Sequence, residues 1–310
     1  MSVPPPSQPS VEESQSFLGE QPSTNPGTMD ELHRKCRETF PMCFEGAKVL
    51  LQKGISSHFQ VSHTLNLSTN NTGYKFGATY VGHNQLGPGE AFPVLLGDTD
   101  VNGNTAATFI HQFGENWRVK LQAQTEKNKL SATQGALEYR GKYWTSGMTF
   151  ANPDVIGNTG ILVCNYLRRI SKSVDIGAEF VHQQGVPNPA GYMSVLSYAG
   201  RYTTKDFIAA GTVGSSGVHL TYFHKQTENV AFGVEFETNF RLGDSVTTFG
   251  YSLGIPEYGV TMKSSVDTNW TVGGVCEKRL SNRLPFNLVM SGLWNHVKCQ
   301  GKFGLGFIVG

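Results

Sequence analysis

A close pair of carboxylates, nine histidines and five cysteines are the side chains of this 310-residue sequence that invite a chemical reading. Glu235 and Glu237 stand two apart within residues 230–241, where Val230, Phe232, Val234 and Phe236 alternate with Glu235, Glu237, Asn239 and Arg241. On an extended chain that spacing puts both carboxylates on one face and Val234 and Phe236 on the other. The chemistry on offer is electrostatic: two like charges attract a basic ligand, unless Arg241 and neighbouring strands neutralise them. A unit-charge pair at ~4 Å gains only ~1 kcal/mol in water, and salt screens it within ~8–10 Å. Such contacts are individually weak and exchangeable.

The remaining chemical groups read as bystanders. His58/His63 and His219/His224 are each five apart, an odd offset that sends the two rings to opposite faces of a strand, so neither pair grips one metal ion. Asp98, Asp100, Asn102 and Gly103 match the first half of a calcium-binding loop, but the twelfth position is Phe109 where a bidentate Glu is required, and the segment reads as a hairpin turn. Gly304 and Gly306 sit at the chain end with no helix after them, which excludes a dinucleotide loop. No GxSxG, HExxH or Walker pattern occurs, so neither an enzyme nor a cofactor is expected. Asn66, Asn70 and Asn269 open glycosylation-type tripeptides that read as chance without a secretory signal. Cys36, Cys43, Cys164, Cys276 and Cys299 are odd in number and contain no CxxC, which argues for reduced thiols. A formal net charge of +1 gives no field for nucleic acid.

The elements that must position these groups are almost all strands. From residue 44 to 310 the hydropathy period is two, as in residues 118–126, where Val119, Leu121 and Ala123 alternate with Arg118, Lys120, Gln122 and Gln124. Turn signals at Asn102-Gly103, Gly141-Lys142, Gly243-Asp244 and Leu284-Pro285 separate the segments. Strand starts are expected near Phe44, His58, Tyr74, Ala91, Thr105, Arg118, Ala132, Tyr143, Thr159, Val174, Tyr192, Asp206, Val218, Val230, Ser245, Gly259, Asn269, Pro285 and Gln300, about nineteen in all. Residues 1–28, rich in Pro, Ser and Gln, read as a disordered tail. A helix is expected over residues 29–41: Thr28 and Glu31 form a capping box, Met29, Leu32, Cys36 and Phe40 share a face, and Pro41 ends it. At ~18 Å that helix is too short to cross a bilayer, and no run approaches ~18 apolar residues. The leader is acidic (Glu12, Glu13, Glu20) and its first basic residue is Arg34, so neither a secretory signal nor a basic presequence is expected.

Three architectures use such a pattern. A propeller needs blade-length repeats of ~40 residues, and none is visible. A soluble sandwich needs a second apolar layer, which strict alternation could provide. A membrane β-barrel turns one face to lipid and the other to water, and evenly spaced segments of ~9–11 residues suit it best. A wet interior also accounts for a hydrophobic content of only 38%. In a barrel, carboxylates turned to lipid at mid-depth would cost up to a few kcal/mol, which places Glu235 and Glu237 on the lumen side.

Several segments carry a family resemblance. Residues 302–310 read Lys-Phe-Gly-Leu-Gly-Phe-Ile-Val-Gly, similar to a mitochondrial β-signal with Lys302, Gly304, Phe307 and Val309 in its polar, glycine and two hydrophobic positions. Residues 25–28 (Asn-Pro-Gly-Thr), 44–48 (Phe-Glu-Gly-Ala-Lys), 54–63 (Gly-Ile-Ser-Ser-His-Phe-Gln-Val-Ser-His), 91–94, 152–154, 160–163, 233–237 and 265–270 add to it. Together, from Asn25 to Gly310, these resemble the pore-forming subunits of the translocase of the outer mitochondrial membrane in their animal form, within the eukaryotic porin superfamily. The resemblance implies nineteen strands closed by a parallel first–last pair, with the helix of residues 29–41 inside the pore. It further implies passage of unfolded precursors with basic presequences from cytosol to intermembrane space. The partners it implies are a receptor-like single-span subunit, small helical subunits, membrane lipid and a second copy of the chain. On it, Glu235, Glu237, Glu179 and Glu138 are the candidate acidic path in the lumen. The rival is a voltage-dependent anion channel, a metabolite pore with a basic lumen; the long leader and the motifs above disfavour it. From Phe44 onward there are 22 Lys/Arg and 18 Asp/Glu, a difference of +4, so any acidic path must be local. A barrel that mainly scaffolds receptors is the third reading.

Overall fold

In the computed structural model the described residues are 24–69, 72–87, 90–127, 129–154, 159–185, 191–281 and 285–310. Residues 1–23 of the expected tail, and Leu284 of the expected turn, lie outside them. The strands, in chain order, are β1 Gly46–Gly54, β2 Phe59–Leu67, β3 Gly73–Gly87, β4 Glu90–Asp100, β5 Thr105–Phe113, β6 Trp117–Glu126, β7 Lys129–Arg140, β8 Trp144–Asp154, β9 Thr159–Arg169 and β10 Val174–Gln184. They continue as β11 Tyr192–Thr203, β12 Phe207–Gly214, β13 Gly217–Thr227, β14 Val230–Asn239, β15 Asp244–Ile255, β16 Val260–Asp267, β17 Thr271–Arg279, β18 Phe286–Asn295 and β19 Gln300–Val309. Every expected start falls within three residues of an observed one.

The nineteen strands form one hydrogen-bonded sheet in sequence order, closed by a pairing of β1 with β19. The ladders from β3 to β10 and from β12 to β19 are antiparallel. The closing ladder is parallel, running from Gly46↔Gly304 to Leu51↔Val309. The fold is a closed β-barrel. The Asp98–Gly103 segment is a hairpin turn, as its sequence predicts: the Asp100 amide donates to the Asn104 carbonyl at 2.8 Å, and Gly103 takes the left-handed conformation at φ 79°.

By contacts the chain divides into two compact units. The first holds β4–β10 entire, with residues 24–29. Its outward apolar positions, Leu121, Leu137, Met148, Phe150 and Phe180, are all exposed, while Arg118 and Glu138 stand opposite each other on the alternate face. Trp117, Tyr139, Trp144 and Tyr166 form a row across the ends of β6–β9, with centroids 4.8, 4.9 and 5.8 Å apart. Such a row suits the membrane–water boundary, where an aromatic body is buried and its polar tip is wet. Asn25 is bound here rather than free: its Nδ2 donates to the Gly141 carbonyl at 2.6 Å, and Thr145 Oγ1 donates to its Oδ1 at 3.1 Å. Residues 25–28 therefore depart from the expected disordered tail, because the Asn25 side chain closes both a local turn and the β7–β8 connection.

The second unit holds β12–β19 and residues 30–52. Leu220, Tyr222, Phe249, Met290, Phe303, Leu305 and Phe307 are exposed on its apolar face. Leaving such side chains in water forgoes about 1.5–3 kcal/mol each, and a hydrocarbon solvent returns it. The expected helix is mostly turn: the α-helical stretch is α1, Arg34–Arg37, flanked by bonds that mostly span three residues, such as Thr39 N to Cys36 O at 3.0 Å. Its N-cap is His33, without a side-chain cap bond, so the expected Thr28 capping box does not open the helix. All five cysteines are free thiols.

On β19, Phe303, Leu305 and Phe307 face outward, and Phe307 stacks on Phe286 with centroids 5.9 Å apart. Lys302 pairs with Glu45 at 3.3 Å, and a Cβ at Gly304 would sit 2.4 Å from the Phe44 carbonyl oxygen. The last strand thus has to fit β18, β1 and residue 44 together. Replacing Phe307 and Val309 by Gln should leave the chain unassembled and protease-sensitive in a membrane-integration assay, since two polar side chains would face lipid beside the closing seam. Normal integration of the double variant would remove these residues from the assembly signal.

Candidate functional site

The site is built where α1 lies on the polar face of β12–β14. In the β13–β14 hairpin the register sets His219 opposite Glu237 and Thr221 opposite Glu235, so these four side chains share one face. On β12, Thr212 is opposite His219. The segment of residues 30–44 reaches this face with a polar contact at almost every turn. His33 bridges two hydroxyls, Nδ1 to Thr221 Oγ1 at 2.8 Å and Nε2 to Thr212 Oγ1 at 3.0 Å, and its ring lies 4.0 Å from that of His219. The Cys36 thiol donates toward the carbonyls of Tyr222 and Val234 at 3.6 and 3.4 Å. Lys263 Nζ donates to the Glu38 carbonyl at 2.7 Å, and the Phe44 amide to Ser291 Oγ at 2.9 Å.

Leu32 and Cys36 are buried against the wall and Phe40 lies over Gly250. A Cβ on Gly233 would stand 2.2 Å from Thr39 Oγ1 and 3.2 Å from Cys36 Sγ, so only glycine lets the turn seat this closely. Arg34 and Arg37 stay exposed. Arg37 reaches Glu235 at 3.4 Å and Glu237 at 3.9 Å, while His219 Nε2 lies 2.7 Å from Glu235 and 3.5 Å from Glu237. The wall therefore presents two carboxylates and an imidazole to a guanidinium carried by a helical turn.

The seat also sets ionisation in the docked segment. Burial first, then the charge of Glu235, pushes the Cys36 thiol up to about 12, which leaves it protonated and unreactive. Burial lowers Lys35. Burial, then the nearby His219 and Arg37, lower His33 to about 4.

Of the four carboxylates expected to form the path, Glu235 and Glu237 are the ones brought together. Glu138 lies in the other unit, 3.6 Å from Arg140 and opposite Arg118, so local cations neutralise it. Glu179 lies in that unit opposite Asn165. His219 and Arg37 are the participants that sequence reasoning passed over. His219 and His224 do part to opposite faces, but the relevant neighbour of His219 is across the hairpin. The turn does not reveal it: a β-bulge between Lys225 and Thr227 shifts the ladder by one, and counting back from residues 228–229 would set His219 opposite Thr238 instead. His58 likewise finds His83, at 3.8 Å between centroids, rather than His63.

Two outcomes follow. Gly233→Val should lift the turn off the wall and speed maleimide labelling of Cys36 by at least ~10-fold, with exposed Cys299 as the internal control; Cys36 labelling as fast as Cys299 in the unaltered chain would contradict the docked seat. For His33, the docked pKa of about 4 lies below the ordinary 6.5, so the undocked form binds the extra proton between them. Docking stability is therefore complete above the upper value and is lost as pH falls through the lower. Hydrogen exchange over residues 31–40, corrected for intrinsic rates, should show protection falling over that window, and His33→Gln should flatten the dependence.

Comparison with known proteins agrees with this architecture. A family profile described as eukaryotic porin matches residues 25–304. The mitochondrial import receptor subunit TOM40 homolog of Caenorhabditis elegans is 61% identical over 289 residues, covering 93% of this chain and 96% of that protein. The TOM40 homolog of Homo sapiens is 44% identical over 287 residues, with 92% and 78% covered. TOM40 homolog 2 of Drosophila melanogaster is 43% identical over 288 residues, with 93% and 84% covered. The chain belongs to the eukaryotic porin family and, within it, to the group formed by these mitochondrial import receptor subunits.

Proposed function

We propose that the chain is a protein-conducting channel of the mitochondrial outer membrane, which passes unfolded precursors with basic presequences from cytosol to intermembrane space. The names of its relatives and a closed sheet with one polar face both support this. The presequence part rests on one observation: Arg37, presented by a helical turn, lies against Glu235 and Glu237. A presequence brings the same chemistry, cationic side chains on a helix with an apolar face. A metabolite pore with a basic wall has no use for an acidic pair at this place.

In this reading residues 29–41 lie within the lumen, with Leu32, Cys36 and Phe40 toward the wall, and narrow the path; docking on the polar face supports that placement. Glu235 and Glu237 are the principal cation contacts. Glu179 extends the path, and Glu138 contributes least because Arg140 already answers its charge. Lys302, Gly304, Phe307 and Val309 serve insertion. The exposed apolar face meets lipid, a second copy of the chain, and the single-span receptor and small helical subunits of the translocase.

Changing Glu235 and Glu237 to Gln should lower the cation preference of the purified channel in planar bilayers and weaken block by a presequence peptide. Two contacts of ~0.2–1 kcal/mol each amount to an effect on block of about 2- to 30-fold. It should be largest at low salt, near ~50 mM, where screening is weakest. Selectivity and block unchanged at that salt would make the two carboxylates a merely solvated wall.

A further inference from the structure

The cluster of His219, Glu235 and Glu237 has a property that cargo attraction does not use. One ligand atom from each, the imidazole Nε2 and a carboxylate oxygen from each Glu, lie within 4.8 Å of one another. We infer that these three side chains form a binding site for a transition-metal dication of the zinc class, in competition with the Arg37 guanidinium. The inference goes beyond the transport reading and does not depend on it.

The donor set is the first argument. One imidazole with two carboxylates matches the three protein ligands and open fourth position of solvent-accessible zinc sites, the fourth going to water. Calcium and magnesium want six or more oxygens, and the imidazole adds nothing for them. Two carboxylates also neutralise the dication.

Geometry is the second. Bonds of ~2.0–2.2 Å in a tetrahedron put ligand atoms roughly 3.3–3.5 Å apart. His219 Nε2 is already 3.5 Å from Glu237, and its 2.7 Å hydrogen bond to Glu235 has to open by less than an ångström. The imidazole proton then resides on Nδ1, leaving Nε2 as a donor to the metal. All three residues stand on two adjacent strands in fixed register, His219 directly opposite Glu237 and Glu235 one step along, so the chain loses little freedom on binding.

The third argument is that a cation already occupies the place. Arg37 rests against both carboxylates at 3.4 and 3.9 Å, long contacts for a guanidinium, and its side chain is 60% exposed. A group so loosely held can swing away, which leaves the carboxylates to the metal.

The test is zinc titration calorimetry on the purified full-length chain in detergent micelles, with cobalt absorption as a second readout of ligand geometry. The expected result is a binding step of one zinc per chain, above any background, that is lost or weakened at least ~10-fold in both His219→Ala and Glu237→Gln. Arg37→Gln should tighten binding because the competitor is gone, and millimolar calcium should not displace the metal. Other histidines that take zinc appear equally in all variants and cancel in the comparison. If His219→Ala fails to assemble, Glu237→Gln decides alone, its side chain being 58% exposed. No zinc binding in the unaltered chain, or the same isotherm in the unaltered chain and Glu237→Gln, would overturn the inference.

Discussion

Every backbone amide and carbonyl that meets lipid has to be hydrogen-bonded within the protein, because each one left open costs several kcal/mol. A sheet meets that demand only by closing on itself. Closure in turn dictates the seam, since nineteen strands that alternate in direction leave the first and last pointing the same way. The β1–β19 ladder is accordingly parallel, over the pairs Gly46↔Gly304 to Leu51↔Val309. Parallel ladders are slightly weaker per residue, and this one has to form last, after β19 is made. The composition of β19 follows from its position: Phe303, Leu305 and Phe307 on the lipid side, and Gly304 on the other, where Phe44 comes close.

Most of this was legible in the sequence for a physical reason. A wall one strand thick has two different solvents on its faces, and that difference writes itself as period two along every strand. Turn chemistry then cut the pattern at the right places, as at Asn102-Gly103, so that all nineteen starts are placed to within three residues. The pattern gave a count of about nineteen, but the choice of an odd number over eighteen and the parallel seam came from family resemblance, because a pairing between the two ends of a chain leaves no local trace.

The N-terminal segment was less legible. Leu32, Cys36 and Phe40 do mark the face that meets the wall, yet the helix they suggested shrinks to Arg34–Arg37. Four to eight residues of helix are marginal on their own, and tertiary contacts decide them. Here His33 spends both ring nitrogens on Thr212 and Thr221, and the Thr39 hydroxyl donates to the Cys36 carbonyl at 2.6 Å. One side chain bonds outward to a fixed wall and the other ties its own turn, so together they set the backbone locally and the ideal helix yields. The acidic side chains show the same limit. Spacing of two found Glu235 and Glu237, but which cation answers each carboxylate depends on register across strands, and that is why Glu138 turned out to stand with Arg140.

Docking of the segment rests on shape more than on charge. Arg37 is mostly exposed, and contacts of 3.4 and 3.9 Å made by a solvated guanidinium contribute ~0–1 kcal/mol each. The buried side of the turn, with Cys36 and Thr39 set against Gly233 and Leu32 buried beside them in sequence, supplies area that does not fade with salt. The two kinds of contact are thus separable on one turn: the apolar side fixes where the segment lies, and the cationic side stays exchangeable. A carboxylate pair that held its own arginine tightly would be closed to every other cation. Held loosely, Arg37 keeps Glu235 and Glu237 from standing unpaired while leaving them open to displacement, whether the incoming charge is carried by a peptide or by a metal ion.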